Sequence, residues 1–293
     1  QARSLQGMQE QLTLQQEQRA QQEGDSQRDR LLEALQQNPG IRRLAVNPLM
    51  LTILALIQKS GRRLPHRRIE LYQTITLTLL DNWNQFRGGV IFSQEEIDLA
   101  EEALCEFAYR LHSRDLPLTE REVFAITRET LAHYYSRKLE QIHLSEVERF
   151  IDTLRSSSGL FVERGQGLYG FIHRTFQEYY VMRYLVDKRH YPLVNKNLPA
   201  DEDLNAFVAQ KCHISTWREP LLLLIAYKSE QKDRDERQQT TALIETILAT
   251  YDSYDALLQR HLLLAASALI DCNTWYIDIS LQQQVANQLL YIY

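Results

Sequence analysis

The segment Gly159–Val186 restricts the possible folds more than any other part of this chain. Two short runs rich in β-branched and aromatic residues lie on either side of Gly165-Gln166-Gly167, a composition typical of a hairpin turn. Thr175-Phe176-Gln177-Glu178 then matches a Thr-x-x-Glu capping box and precedes apolar residues at helical spacing. The segment is therefore predicted to form a β-hairpin followed by a helix, with His173 at the junction.

Three similar capping signals precede the hairpin. They are Ser93-Gln94-Glu95-Glu96, Thr119-Glu120-Arg121-Glu122 and Ser145-Glu146-Val147-Glu148. Each comes before an apolar helical pattern, and the first stripe comprises Ile97, Ala100, Leu104, Phe107, Ala108 and Leu111. Three helices followed by a two-stranded hairpin have the order of a winged-helix domain, which we predict within residues 91–190.

The N-terminal third divides into two predicted segments. Residues 1–30 are rich in polar side chains and are predicted to be a linker, disordered or a solvated helix. Residues 31–90 are predicted to form a helical domain. In it Asn47 suits the N-cap and Pro48 the first position of an apolar helix, which we expect to be surrounded by protein.

Residues 191–293 are predicted to be purely helical. Two apolar segments, WREPLLLLIAY and RHLLLAASALI, lie about 40 residues apart, a spacing seen in solenoids of paired helices. We therefore expect a HEAT-like superhelical region here. The predicted fold class is mainly α: a helical domain, a winged helix with a short β-hairpin, and this helical region.

Composition excludes several classes of protein. The net charge of −5 provides no general attraction to nucleic acid or to an anionic membrane. The longest apolar runs, at residues 48–57 and 220–227, are too short to span a bilayer. The three cysteines are far apart and match no metal or redox spacing, which favours the cytoplasm. Because the chain begins with Gln and ends on an apolar pattern, we expect it to be a piece of a longer polypeptide.

Few residues of the chain are candidates for a catalytic or ligand-binding role. It has no Gly-rich phosphate loop, no acidic metal-binding strand and no nucleophile–histidine pairing that we find convincing, so this chain alone is not predicted to be an enzyme or to bind a metal. His112, His133 and His143 are predicted to be surface or hydrogen-bonded histidines. His173 differs, because it precedes a helix N-terminus, whose N–H groups and dipole attract phosphate.

Structural explanations remain open for the candidate residues. His173 can simply cap the hairpin, and Pro48 can simply start a helix. The cluster Arg62, Arg63, Arg67 and Arg68 can be a solvated face.

A winged helix also raises the possibility of DNA binding. Its recognition helix, at about residues 146–157, has three acidic residues and two arginines. A helix that enters a phosphate-lined groove is expected to be net basic, so contact with protein is favoured and a nucleic-acid partner is not.

Three segments of the chain carry a family resemblance: RRLAVNPLMLTILALIQ, GRRLPHRRIELYQ and GLFVERGQGLYGFIHRTFQEYY. Together they resemble the C-terminal half of a NACHT-type STAND NTPase, a class that includes NOD-like receptors and many bacterial and cyanobacterial signalling proteins. The resemblance covers about residues 31–187.

The resemblance implies a nucleotide site shared with a P-loop domain that would lie upstream of this chain. Pro48 would pack on adenine, and His173 would contact the β-phosphate of ADP. The cofactors would be ADP and ATP, with Mg²⁺ in the parent protein, which would be an ATPase.

The chain would then be the regulatory half of a switch that is off with ADP and on with ATP. Its partners would be the upstream nucleotide-binding domain, other copies of itself on activation, and an unknown protein or ligand at the C-terminal repeats. The alternatives are a DNA-binding winged-helix regulator and a purely helical interaction scaffold.

Overall fold

The computed structural model describes residues 2–37, 39–59, 64–65, 67–81, 93–186, 202–231, 234–251, 254–272 and 277–292. The chain divides into two compact units, Gln1–Ile75 and Thr76–Tyr293. The fold is mainly α-helical with one small antiparallel sheet, which confirms the predicted fold class. The predicted domain borders at 90/91 and 190/191 lie outside the described residues, and the border at 30/31 falls within a continuous helix.

The first unit contains α1 (Ala2–Gln37), α2 (Pro39–Leu44), α3 (Pro48–Lys59) and the start of α4 (Arg68–Asp81). One face of α3 is buried, through Met50, Ile53, Leu54 and Ile57. Leu51 and Leu56 on its other face are exposed, so the expectation that α3 is surrounded by protein is wrong for the described structure. In the described part of the chain α3 packs against α1, and its buried residues recur at helical spacing along one face.

The winged helix occupies the second unit. Its elements are α5 (Gln94–Arg114), β1 (Leu118–Thr119), α6 (Glu120–Tyr134), α7 (Leu144–Ser158), β2 (Phe161–Gly165), β3 (Leu168–Phe171) and α8 (Arg174–Val186). The strand order is β1-β3-β2, with Leu118 opposite Tyr169 and Val162 opposite Gly170. The sequence predicted only the hairpin; the additional strand is too short to show an alternating pattern of its own.

The hairpin turn is formed by Gly165, Gln166 and Gly167, all three with positive φ. Glycine suits two of these positions because it adopts such angles at little steric cost. Below the turn, Phe161 stacks on Phe107 of α5 with ring centroids 4.6 Å apart. The wing is thus fixed to the first helix of the domain.

Two of the predicted helix starts are confirmed by their hydrogen bonds. Ser93 and Thr119 form complete capping boxes with Glu96 and Glu122. The third prediction is wrong, because α7 begins after His143 and places Ser145 inside the helix. An ion pair between Arg137 and Glu146 binds the first turn of α7 to the preceding loop.

The rest of the second unit contains α9 (Glu202–Lys211), α10 (Arg218–Ser229), α11 (Arg234–Ala249), α12 (Asp255–Leu258), α13 (Arg260–Asp271) and α14 (Ile279–Ile292). Helix α10 is largely buried and packs on α8, α11 and α13. Gln259, whose backbone is left-handed (φ 48°), separates α12 from α13. No helix in the described part of the chain is both long and apolar enough to cross a membrane.

Candidate functional site

His173 lies between the end of β3 and the start of α8, and it caps the helix. Its Nδ1 accepts a hydrogen bond from the backbone N–H of Thr175 (3.2 Å), and its carbonyl accepts one from Phe176 N–H (3.2 Å). The helix therefore begins at Arg174, and the expectation that Thr175 and Glu178 open it as a capping box is wrong. Glu178 instead binds Arg174 Nε at 3.0 Å.

The contacts with Thr175 favour one tautomer of the histidine ring. Nδ1 lies 3.0 Å from Thr175 Oγ1, which can donate or accept, and 3.2 Å from the backbone N–H, which can only donate. Acceptance of the backbone N–H by Nδ1 places the proton of the neutral ring on Nε2. Burial lowers the pKa of His173, and the nearby positive charge of Arg164 lowers it further. At neutral pH the ring is therefore uncharged and carries one N–H donor.

Arg164, which the sequence did not single out, determines the electrostatics beside His173. Its guanidinium donates a hydrogen bond to the carbonyl of Phe171, and its aliphatic chain covers Gly170. A Cβ placed on Gly170 would lie 3.2 Å from Arg164 Cδ. The sequence contained a signal for this contact. Residues 162 and 164 lie on one face of β2, and Gly170, which pairs with Val162 on the neighbouring strand, has no side chain and so leaves room for that of Arg164.

The positive charges collect at the start of α8. Arg164 lies near His173, whereas Arg174, the first residue of the helix, pairs with Glu178. The N-terminus of α8 adds the positive end of the helix dipole. This arrangement favours an anion such as a phosphate group beside His173.

Pro48 occupies the predicted position at the start of α3. Asn47 Oδ1 accepts hydrogen bonds from Leu49 N–H (2.9 Å) and Met50 N–H (3.4 Å), which confirms the predicted N-cap. Pro48 is exposed, whereas Met50, two residues further along the helix, is fully buried. Pro48 and His173 belong to different units, so their meeting at one ligand stays a prediction.

Helix α8 connects His173 to the C-terminal helices. Arg183 binds Glu101 of α5 at 3.1 Å, and Gln177 Nε2 lies 3.3 Å from His112 Nδ1. His112 in turn contacts Trp217 edge-on, with ring centroids 4.6 Å apart. Helix α8, which follows His173, therefore contacts α5, and through His112 of α5 it is linked to Trp217, which leads into α10.

The other histidines have structural surroundings. Burial lowers the pKa of His112 to about 4, and the positive charge of Arg174 acts in the same direction. His133 Nδ1 lies 2.9 Å from a carboxylate oxygen of Glu102, and His143 precedes α7 without a side-chain cap. Among the described residues there is no group of three or more side chains arranged to hold a metal ion.

Comparison with known families assigns the central part of the chain. Residues 68–185 match the family described as the winged helix-turn-helix domain C-terminal to NACHT. This segment is a NACHT-associated winged helix. The match agrees with the resemblance drawn from the sequence and includes His173. It begins after Pro48, at residue 68, so the assignment of Pro48 rests on the resemblance alone.

The other two comparisons gave no relatives. Neither the curated proteins nor the solved structures contain a significant match to this chain.

Proposed function

We propose that the chain is the regulatory half of a nucleotide-switched signal-transduction NTPase of the NACHT type. In this proposal His173 of the NACHT-associated winged helix donates its Nε2–H to the β-phosphate of ADP and holds the protein in its off state. The observation that carries the proposal is the hydrogen bond from Thr175 N–H to His173 Nδ1, because it favours the tautomer with an Nε2–H donor.

The electrostatics of the site support an anionic ligand. A neutral histidine donates to phosphate without a change in its own protonation, and its lowered pKa keeps it neutral at physiological pH. The positive end of α8 and the nearby Arg164 add attraction for negative charge. ATP carries one more phosphate group than ADP. The protein would respond to this difference if its off and on states bind the two nucleotides with different affinities.

Pro48 is the proposed contact to adenine. A proline ring offers a flat apolar face, and Asn47 and buried Met50 hold that face at a fixed place at the start of α3. The P-loop, Mg²⁺ and ATP hydrolysis belong in this proposal to a preceding domain of the same polypeptide. This chain contributes binding and regulation, and not catalysis.

The remaining parts of the proposal concern partners and location. Release of the winged helix would allow copies of the protein to oligomerise in the cytoplasm. The C-terminal helices, proposed to be the start of HEAT-like repeats, would bind the activating protein or ligand. Helix α8 would connect the two events because it packs on both α5 and α10.

The test uses the intact parent protein and two substitutions of His173. His173→Ala removes both the helix cap and the phosphate donor, whereas His173→Asn keeps a good N-cap residue but lacks the longer imidazole donor. Both variants are expected to release ADP faster and to oligomerise more readily than the wild type. The matched control is His143→Ala, which removes another histidine in front of a helix of the same domain.

Two readouts decide the result. Dissociation of ADP is followed by stopped-flow fluorescence of a labelled nucleotide, and oligomeric state by light scattering. If His173→Asn retains ADP like the wild type while His173→Ala does not, the residue acts as a cap and the proposal fails. Unchanged ADP release and oligomeric state in both variants refute it as well.

A further inference from the structure

A cavity of about 100 Å³ lies inside the winged helix among α5, α6 and α7, and His173 is not among its lining residues. Its floor is apolar and buried, formed by Leu99, Ala100, Leu131 and Leu154. A dry apolar cavity of about 150 Å³ can hold a benzene molecule, so this cavity has the size of one aliphatic side chain.

The mouth of the cavity has a different character. It is formed by Glu96, Tyr135 and Arg149, which are exposed, and by Glu146, which is half buried. Tyr135 provides an exposed aromatic surface, and Leu144 at the start of α7 is 58% exposed. An apolar floor below an exposed, partly aromatic rim is the form of a pocket that receives a single anchor side chain of a partner.

The charge around the mouth is strongly negative. The two segments that provide most of its rim, residues 93–98 and 144–152, contain six carboxylates and one arginine. Arg137 neutralises Glu146 by pairing with it, which still leaves a clear excess of negative charge. The phenol of Tyr135 reports this field: burial raises its pKa first, and the carboxylates of Glu95 and Glu146 raise it further.

This charge also indicates what does not bind. A phosphate-rich partner such as DNA would meet the excess of carboxylates on α7, and the other arginine of that helix, Arg155, is already bound to Glu163 at 3.2 Å. A basic polypeptide is attracted to the same surface.

We propose that this cavity is a docking site for a basic amphipathic segment of a partner protein. One apolar side chain of leucine size enters the cavity, and lysine or arginine residues on either side of it lie against the carboxylates of the rim. The site is independent of the proposed contact between His173 and nucleotide.

The binding test uses the 293-residue chain and synthetic peptides. The probe is a fluorescein-labelled peptide of alanines with one central leucine flanked by lysines. Two companion peptides replace the lysines by glutamates or the leucine by alanine. Fluorescence anisotropy at low salt is expected to show binding of the first peptide and at least about tenfold weaker binding of the other two.

Two variants locate the binding. Ala100→Leu fills the floor of the cavity and is expected to weaken binding at least about tenfold. Glu96→Gln removes one rim charge but keeps the capping box, since Gln also serves there, and is expected to weaken binding roughly two- to fivefold. The matched control is Glu122→Gln, the same change in the capping box of α6, which does not line the cavity. Thermal melting checks that each variant is folded.

Several outcomes would overturn the proposal. They are equal binding of the lysine and glutamate peptides, full binding by folded Ala100→Leu, or an equal loss in Glu96→Gln and Glu122→Gln. The proposal would also be overturned if millimolar peptide caused no NMR shifts in the methyl resonances of Leu99 and Leu131. A dimer of the chain that Ala100→Leu dissociates would assign the cavity to a second copy instead.

Discussion

The ion pair between Arg183 and Glu101 is expected to determine how firmly α8 is held against α5. The two side chains meet at 3.1 Å and are only 31% and 17% exposed. Burial raises the pKa of Glu101 in spite of the arginine, so its charged form depends on this partner. Arg183→Met keeps much of the side-chain length and leaves the carboxylate without its partner's charge.

The expected loss of unfolding free energy in Arg183→Met follows from the burial of the ion pair. Breaking a fully buried pair costs about 3–5 kcal/mol and an exposed pair about 0–1 kcal/mol, so we expect about 1–3 kcal/mol here. For a unit of this size, 2 kcal/mol corresponds to a decrease in Tm of about 4–8 °C. The control is Arg110→Met on α5, the helix that carries Glu101. Arg110 is 50% exposed and lies 3.8–3.9 Å from its carboxylate partners, so its replacement should change stability by less than about 0.5 kcal/mol.

The pH dependence distinguishes lost charge from lost packing. A carboxyl whose pKa is raised in the folded state contributes more stability below its unfolded pKa and loses it as pH rises. Without Arg183 the pKa of Glu101 should rise further, so the variant should be more destabilised at pH 7 than at pH 5. Circular dichroism melts between pH 4.5 and 8 measure this. A variant as stable as the wild type, or one destabilised more at pH 5, would refute the reasoning.

Two further predictions concern the start of α8 and the helix caps. Arg164→Ala should raise the pKa of His173 towards 6.5, because it removes the positive charge that helps to lower it; a histidine NMR titration measures this, and an unchanged pKa would contradict the assignment. Ser93→Ala and Thr119→Ala should each cost about 1 kcal/mol, whereas Ser145→Ala should stay within about 0.5 kcal/mol because Ser145 is not a cap. Chemical denaturation of the three variants measures the difference, and equal costs would contradict the observed start of α7.

The sequence by itself determined the features that depend on neighbours three or four residues away. The caps at Asn47, Ser93 and Thr119 and the turn at Gly165–Gly167 were predicted because a cap or a tight turn is decided by a few adjacent residues. Their order along the chain was then sufficient to predict the winged helix, and the motif around His173 was sufficient to predict its NACHT association.

Only the tertiary structure decided features that join distant parts of the chain. The pairing of β1 with β3, which places Leu118 opposite Tyr169, is one such feature. The ion pair between Glu101 and Arg183 joins residues 82 positions apart, and no local sequence pattern predicts it. The physical reason is that these groups meet only after the helices and strands have packed together, so the residues adjacent to them in the sequence do not determine the contact.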